Sequence, residues 1–498
     1  MLENFLTGTS ALFGDPVSIG IFVFGVIGGM LFGAIPGVSM LTLAAILLPF
    51  SAGLEPAQGV MLFAVIYCTG TYGGAITAIL FNIPGAPENA PTAFDGYPMT
   101  KKGMAGKAVG AAVLCSAVGG TASALLMMTA TEPLAHWAIR NIGPPEIFAL
   151  VFFGLAVASS VGGKTIWKGW MSVLLGLMIA TIGQDPVGGI NRYNFGLPDL
   201  AAGIAFVPAI LGFFAVSEIF IQAEKKAFGK YNAPKLNVDF PTFTELWAHK
   251  IAVLRSIIVG FFCGILPGIG ATLAAFMGYG EAVRWSKEKE KFGTGKLEGV
   301  ISSETANNAA TGAAMIPLLA LGLPGGALTA IMVAVFQFHD MEPGPLVFYN
   351  SPELIWVVFA AMFYANVSIL FIGLIETKTI LQLLRIPFTY LAPMILMLAS
   401  IGAYIGRGLV LDVVVMFGAG VLGFLLRRSG YSIAGIVLGI ILGKIGEQNF
   451  AQGMQMVHYD LIAYMSRPIC FILIIAGAVT LGTGVYRALA SNRALKKL

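Results

Sequence analysis

The chain has 498 residues, of which 57% are hydrophobic and only 11% are charged, against roughly a quarter charged in an ordinary soluble domain. Its mean hydropathy is +0.85, and its net charge of +4 is spread thinly, without the basic stripe that binds nucleic-acid phosphates. These properties exclude a soluble enzyme, a disordered protein and a nucleic-acid-binding protein. They predict an all-α polytopic membrane protein.

Apolar segments long enough, or nearly long enough, to cross a hydrocarbon core of about 30 Å recur along the chain. Residues 1–16 contain no Lys or Arg, so the basic region of a signal peptide is missing and we expect the first segment to remain in the mature protein. We predict about 10–14 membrane segments, drawn from 20–34, 38–53, 57–81, 104–130, 146–162, 166–183, 200–222, 251–265, 269–283, 303–321, 325–338, 353–375, 388–405, 409–426, 431–446 and 467–486.

A polar stretch over 222–250 divides the chain into two halves of nearly equal length. We predict a first transmembrane repeat over 1–222 and a cytoplasmic linker over 223–250. A second transmembrane repeat is predicted over 251–450, followed by a final span and a basic C-terminal tail over 451–498.

The two halves resemble one another in sequence. Residues 33–37 (GAIPG) recur as 264–268 (GILPG), and residues 82–85 (NIPG) recur as 322–325 (GLPG). Ser160 also matches Ser400, and 210–212 (ILG) matches 441–443 (ILG). Four matches in the same order indicate an internal repeat, which is typical of secondary transporters.

The distribution of charge indicates that the repeats have opposite orientations. Residues 1–100 contain no Lys or Arg, whereas both flanks of the matching region in the second half are rich in cations. The positive-inside rule places those later flanks in the cytoplasm and the earlier ones outside. The next pair of loops agrees, with Lys101, Lys102 and Lys107 in the first half against Asp340, Glu342 and Glu353 in the second. We therefore predict two inverted-topology repeats.

The same rule predicts that the regions near 20–53 and 251–283 each enter and leave the membrane on one side. Each leg has about 15 residues, roughly 22 Å as a helix, and a Pro-Gly pair lies in the middle. A re-entrant helical hairpin satisfies these constraints. Two short spans joined by a tight turn are the alternative.

Pro-Gly breaks a helix, and the helix that follows presents free N–H groups and a positive dipole end. Two such breaks entering from opposite faces would bind carboxylates without a buried lysine, although each pair alone could be a kink or an interfacial turn. The adjacent amides at 307–308 need partners at membrane depth. The residues predicted to bind substrate are Pro36, Gly37, Ser39, Asn82, Pro84, Gly85, Pro267, Gly268, Gly270, Asn307, Asn308, Pro324 and Gly325.

Acidic residues within the apolar regions are candidates for binding a coupling cation or proton. Asp95, Glu304, Glu218 and Asp412 meet this criterion, although Asp95 also suits a turn and Glu304 could cap a helix. With neighbouring hydroxyls, the predicted coupling-ion residues are Thr71, Asp95, Glu304 and Thr311. The ion is Na⁺ or H⁺, and no cofactor or metal motif is present in the sequence.

These motifs resemble the large membrane subunit of the tripartite tricarboxylate transporter family. The segments that carry the likeness are 33–37, 72–85, 95–98, 264–270, 304–308 and 321–325. The family pattern has Gly-Gly-Ser where this chain has Gly73, Gly74 and Ala75, which removes one hydroxyl.

The resemblance implies an importer of citrate-like di- and tricarboxylates in the bacterial inner (cytoplasmic) membrane. It also implies a small membrane subunit with about four spans, a periplasmic binding protein that delivers substrate, and an ion gradient as the energy source. We expect membrane lipid but no nucleic acid as a further partner, and a homodimer is possible. The chain is predicted not to be an enzyme, and a transporter of another small organic anion or an ion channel is the alternative.

Overall fold

The computed structural model describes residues 1–35, 39–161, 166–185, 187–224, 240–268, 270–383 and 388–495. Within them, a two-stranded antiparallel ribbon pairs β1 (Gly183–Gln184) with β2 (Asn191–Arg192), and the regular structure is otherwise helical. The predicted all-α class is therefore confirmed. Residues 225–239 of the predicted linker lie outside the described residues.

Among the described residues, the first half of the chain contains ten α-helices, and a π-helical turn at Leu211–Val216 joins the last two. They are α1 (Leu2–Gly14), α2 (Pro16–Ala34), α3 (Met40–Leu47), α4 (Pro56–Phe81), α5 (Ala90–Lys101), α6 (Ala105–Asn141), α7 (Pro144–Val161), α8 (Ile166–Ala180), α9 (Phe206–Ile210) and α10 (Ser217–Glu224).

The second half contributes twelve more. They are α11 (Phe243–Ala248), α12 (Lys250–Ile265), α13 (Gly270–Trp285), α14 (Leu297–Leu321), α15 (Ala327–Phe338), α16 (Val347–Asn350), α17 (Pro352–Leu383), α18 (Phe388–Ile405), α19 (Val410–Arg428), α20 (Ile433–Met456), α21 (Leu461–Met465) and α22 (Pro468–Leu495). Short 3-10 turns lie at Leu48–Gly53, Pro87–Asn89, Pro198–Leu200 and Lys289–Lys291.

Helices suited to a bilayer dominate the described residues. Eight are long and apolar enough to cross a membrane, and five shorter helices of 10–17 residues are also apolar. A helix rises 1.5 Å per residue, so the 19 residues of α2 cover about 28 Å, close to a hydrocarbon core. The chain is a multi-pass membrane protein.

The order of helices in the first half recurs in the second. The helix pair α2–α3 corresponds to α12–α13, and the 26-residue α4 corresponds to the 25-residue α14. Both α4 and α14 end at the repeated Pro-Gly segment, at 82–85 and 322–325. Long helices follow in both halves, α6 and α17.

The two hairpins differ in the lengths of their legs. In the second, α12 and α13 have 16 residues each, close to the predicted 15. In the first, α2 has 19 residues and α3 has eight, so the prediction of equal legs is wrong there. Asp15 caps α2 by accepting hydrogen bonds from Val17 N and Ser18 N, and a 3-10 turn containing Pro49 follows α3.

The centre of the protein is formed by α4 and α14. Every residue over 58–80 of α4 and over 299–320 of α14 is buried. The hairpin helix α2 packs on α4, and α12 packs on α14. Glycine permits these close contacts, because a Cβ at Gly33 would lie 2.4 Å from the Gly70 carbonyl oxygen and one at Gly264 would lie 2.6 Å from that of Ala310.

We predict that Gly33→Ala destabilises the protein by about 1–3 kcal/mol, the usual cost of overpacking a tight interface. The added methyl group would meet the backbone of α4, which cannot yield as a flexible side chain does. The measurement is the melting temperature of the purified protein in detergent.

The control is Gly20→Ala on the same helix, where a Cβ meets no atom within 4 Å. Equal melting temperatures for the two variants would contradict this account of the α2–α4 contact.

Candidate functional site

A cluster of polar side chains lies between α4, α5, α6 and α14, at the centre of the protein. We call it the polar cluster, and each of its side chains has no exposed surface. Its members are Thr71, Asn89, Thr92, Ser116, Ser303, Glu304, Asn307, Asn308 and Thr311. On α14, each member has another member three or four residues away, and residues at that spacing are neighbours on the helix surface.

The carboxylate of Glu304 is the charged group of the polar cluster. Its Oε2 accepts a hydrogen bond from Ser116 Oγ at 3.0 Å, and its Oε1 accepts from Asn307 Nδ2 at 3.3 Å and from the Thr92 hydroxyl. No Lys, Arg or His among the described residues forms an ion pair with it. A buried carboxylate without a cationic partner must be protonated or be neutralised by a bound cation.

The two adjacent amides of α14 are held by the cluster itself. Asn308 Nδ2 donates to the Glu304 carbonyl at 3.0 Å and to Asn307 Oδ1 at 2.7 Å. Asn307 Nδ2 also donates to the Glu88 carbonyl at 3.4 Å. The buried oxygens Asn89 Oδ1 and Asn308 Oδ1 accept no hydrogen bond from the described residues. Such unsatisfied acceptors call for an explanation, and a bound cation or a substrate hydroxyl supplies one.

The Pro-Gly loop that follows α4, residues 82–89, lies against α4 and the end of α2. We call it the first loop. Asn89 Nδ2 donates to the Thr71 carbonyl at 2.8 Å, and Gly85 N donates to the Gly74 carbonyl at 3.3 Å. A Cβ at Gly85 would lie 2.0 Å from the Gly33 carbonyl oxygen. The loop is therefore beside the C-terminal end of α2, the helix that leads to Pro36 and Gly37. These two predicted binding residues lie outside the described residues.

The Pro-Gly loop that follows α14, residues 322–326, contacts the start of α13 in the second hairpin. We call it the second loop. A Cβ at Gly270 would lie 3.5 Å from the Gly326 Cα and 3.6 Å from the Gly325 carbonyl oxygen. The Tyr67 hydroxyl lies 3.9 Å from the same Cβ position. Pro324 and Gly325 are buried in this loop. Two of the predicted binding residues, Gly270 and Gly325, are thus neighbours.

A further contact joins the two halves next to this point. The Thr272 hydroxyl of α13 donates to Glu88 Oε2 at 3.4 Å, and Glu88 is buried. Because Glu88 precedes Asn89 in the first loop, the tip of the second hairpin lies close to the first loop as well as to the second. Segments far apart in sequence therefore converge beside the polar cluster.

Other predicted binding residues lie at the edge of this region. Asn82 is exposed and ends α4 in the left-handed conformation, with φ of 58°. Its counterpart Gly322 ends α14 with φ of 73°. Asn and Gly are the residues that best adopt this conformation at a helix end, so their match in the two repeats has a backbone cause. A role in binding substrate stays a prediction for Asn82.

The remaining predicted binding residues also lie at the ends of helices. Ser39 is half-buried at the N-cap position of α3, and its side chain makes no capping hydrogen bond. A Cβ at Gly154 of α7 would lie 3.1 Å from the Pro267 Cβ. A Cβ at Gly268, where φ is +82°, would lie 2.9 Å from the Ala158 Cβ. The tip of the second hairpin is therefore packed against α7.

Asp95 connects α5 to the start of α14. Its Oδ1 accepts hydrogen bonds from Gly295 N and Lys296 N, each at 2.8 Å, and its Oδ2 accepts from the Tyr279 hydroxyl at 2.9 Å. A carboxylate at a helix N-terminus is stabilised by the helix dipole. These partners give Asp95 a structural role that requires no bound ion, and the coupling role stays a prediction.

The two other acidic candidates are paired with arginines. Asp412 accepts from the guanidinium of Arg407, and Glu218 forms an ion pair with Arg427. Their buried charges are compensated without a coupling ion. Of the four acidic residues that the sequence singles out, Glu304 is therefore the one that has, among the described residues, neither an arginine partner nor a place at a helix N-terminus.

The sequence alone does not single out four residues that lie in or beside this region, which are Tyr67, Glu88, Ser116 and Ser303. A serine within an apolar helix usually bonds to its own preceding turn, so Ser116 gives no signal until α6 is packed against α14. Glu88 offered a signal, because it is an acidic residue only three positions after the repeated Pro-Gly pair.

Comparison with known proteins adds independent information. A model of the tripartite tricarboxylate transporter TctA family matches residues 19–438. An uncharacterized 52.8 kDa protein in the TAR-I ttuC' 3' region of Agrobacterium vitis is 35% identical over 485 residues, covering 96% of this chain and 95% of that protein. An uncharacterized protein in the TAR-II ttuC' 3' region of the same organism is 34% identical over 234 residues, covering 47% of this chain and 97% of that protein. No solved structure matches the chain.

The geometry of Asn82 leads to a test that separates backbone conformation from binding. We predict that Asn82→Gly retains the stability of the wild type, because glycine takes the left-handed conformation without a steric penalty. Asn82→Val should lower stability by about 1–2 kcal/mol, the cost of that conformation for a residue with a bulky Cβ. Thermal unfolding of the two purified variants measures both effects.

If Asn82→Gly destabilised the protein as much as Asn82→Val, the left-handed helix end would not be the reason for Asn82. If Asn82→Gly instead keeps the stability of the wild type, its transport, measured in the same preparation, reports on the amide side chain alone.

Proposed function

We propose that this chain, which belongs to the tripartite tricarboxylate transporter TctA family, is the large permease subunit of an ion-gradient-driven importer of di- and tricarboxylates such as citrate. The TctA family works in tripartite systems with other subunits. The proposed partners are a small membrane subunit with about four spans and a periplasmic binding protein. The proposed location is the bacterial inner membrane.

The observation that carries this proposal is the convergence of helix breaks beside the polar cluster. The loop at 82–89 and the loop at 322–326 both lie next to the start of α13, through Thr272 and Gly270 respectively. Irregular backbone at membrane depth is tolerated where it is buried in protein or lines a watery cavity. Free N–H groups at the helix starts after these breaks can bind the carboxylates of a substrate without a buried lysine.

We propose further that the two halves have inverted topology. Support comes from the recurring order of helices and from the charges that flank the two hairpins. In this arrangement the Pro-Gly breaks approach from opposite faces of the bilayer, so the substrate is bound near the midplane by both repeats. The proposed domain boundaries are 1–222, 223–250, 251–450 and 451–498.

The coupling ion is proposed to act at Glu304. Na⁺ binding there would draw on neutral oxygens of the polar cluster, which include the unsatisfied Asn89 Oδ1 and Asn308 Oδ1. Protonation of Glu304 is the other way to neutralise the buried carboxylate. Both schemes link an ion to a group next to the substrate loops, which is what coupled transport requires.

The test is uptake of labelled citrate, and of a panel of dicarboxylates, into proteoliposomes that hold this chain and its small subunit. The binding protein is added outside, and an inward Na⁺ gradient or an inward H⁺ gradient is imposed separately. We expect saturable accumulation of at least one carboxylate under one of the two gradients. The gradient that drives it identifies the ion.

Glu304→Gln extends the same assay to the coupling site. It removes the charge that the ion neutralises while keeping the size of the side chain, so gradient-driven uptake should fall at least about tenfold, the factor that corresponds to 1.36 kcal/mol. The matched control is Glu298→Gln in the first turn of the same helix, where Glu298 pairs with Lys296 at 3.1 Å. This control should retain uptake.

Four results would contradict the proposal. No accumulation of any carboxylate by an intact complex would exclude di- and tricarboxylates as the substrate. Accumulation of another organic anion would identify that anion as the substrate instead. Flux without saturation or counterflow would indicate a channel. Full gradient-driven uptake by Glu304→Gln would exclude Glu304 as the coupling residue.

A further inference from the structure

One face of α12 is an exposed apolar stripe. Ile251, Leu254, Ile258 and Phe262 recur every three or four residues, and 65% of Phe262 is exposed. The opposite face is buried and packs on α14. At 1.5 Å per residue, the stripe from Ile251 to Phe262 is roughly 17 Å long. That length is close to half of a hydrocarbon core of about 30 Å, so it matches one leaflet.

Two cations held on tryptophan rings mark the polar end of this stripe. Lys250 Nζ lies 4.8 Å from the centre of the Trp247 ring, and the Arg255 guanidinium carbon lies 4.6 Å from that of Trp285. Both tryptophans are exposed, by 57% and 59%. Tryptophan is enriched at the level of lipid headgroups because its ring is apolar and its N–H is polar. This end of α12 therefore has the character of a membrane interface.

The positive charges of Lys250 and Arg255 have no carboxylate partner among the described residues. Three of the acidic residues nearby are already engaged, since Glu245 pairs with Lys107, Glu281 with Arg284, and Glu288 with Lys291, and the exposed Glu290 is outnumbered by the cations around it. The loop that follows Trp285 adds exposed cations at 287 and 289. The polar end of the stripe thus carries uncompensated positive charge.

We propose that the junction of α11, α12 and α13 binds an anionic phospholipid. Lys250 and Arg255 bind the headgroup phosphate, Trp247 and Trp285 hold the two cations at the height of the headgroups, and an acyl chain lies along the apolar stripe. A zwitterionic headgroup brings its own cation into a positive site, so an anionic headgroup is favoured. This site is separate from the substrate loops and does not depend on the proposed substrate.

The bound lipid would support the second hairpin from outside. On its buried face, α12 contacts α14 through Gly260, where a Cβ would lie 2.3 Å from the Ala306 carbonyl oxygen. Ala306 directly precedes Asn307 of the polar cluster. The closely packed helices α12 and α14 therefore lie between the bound lipid and the polar cluster.

The test is quenching of tryptophan fluorescence by brominated lipid. The full chain is reconstituted in phosphatidylcholine vesicles with a minority of phosphatidylglycerol, with bromine on one of the two lipids at a time. The signal of Trp285 is the difference between the wild type and Trp285→Phe. Brominated phosphatidylglycerol should quench it more per mole than brominated phosphatidylcholine, with a preference of roughly fivefold per cation.

The double variant Lys250→Gln, Arg255→Gln should lose this preference. The matched control is Lys101→Gln, Lys168→Gln, which removes two cations that lie over the rings of Tyr97 and Tyr431 elsewhere on the protein. It should retain the preference at Trp285. A double variant that keeps the preference would overturn the proposal.

Two further measurements need no variant at Lys250 or Arg255. Because the headgroup is held by charge, raising the salt concentration should weaken the preference of the wild-type protein, and a preference unchanged by salt would overturn the proposal. Adding the small membrane subunit should leave the quenching of Trp285 intact. Loss of quenching on that addition would assign this face to the subunit instead.

Discussion

Polar groups at membrane depth must find their partners inside the protein, and this requirement explains how the helices are arranged. Both central helices, α4 and α14, end in broken backbone, and α14 carries Glu304 with two adjacent amides. Such segments are not tolerated where they face lipid within the hydrocarbon core. The other helices therefore pack around them, and glycines at the contacts bring the hairpin helices close enough to exclude lipid. The same enclosure leaves a buried carboxylate whose charge no described cation compensates.

The sequence predicted the parts of this arrangement that local chemistry determines. The repeated Pro-Gly pairs mark the ends of α4 and α14, and the match of Asn82 with Gly322 reflects one backbone conformation at two helix ends. The partners of Glu304 could not be predicted, because Ser116 and Thr92 reach it only after α5, α6 and α14 are packed. The lengths of the first hairpin's legs were also missed, since they depend on the Asp15 cap and on the turn at Pro49.

The second hairpin connects the interior to the membrane. Helix α12 presents glycines to α14 on one face and an apolar stripe with cations at its end on the other. A shift of α12 would alter its contact with α14 and its contact with lipid together, because helices packed closely through glycine have little room to slide past one another. The lipid surroundings and the polar cluster are thus linked through one helix, while the first hairpin has no comparable cations in residues 1–100.

If the two halves are inverted, corresponding loops lie on opposite sides of the membrane, and the sidedness of one loop in each half can be measured. The four native cysteines are buried, so a cysteine placed at exposed Gly53 or Lys289 can be labelled against a low background with a membrane-impermeant maleimide. We expect Gly53→Cys to be labelled from outside in intact cells and Lys289→Cys to be labelled only after the membrane is opened. Labelling of both positions from the same side would contradict the inversion.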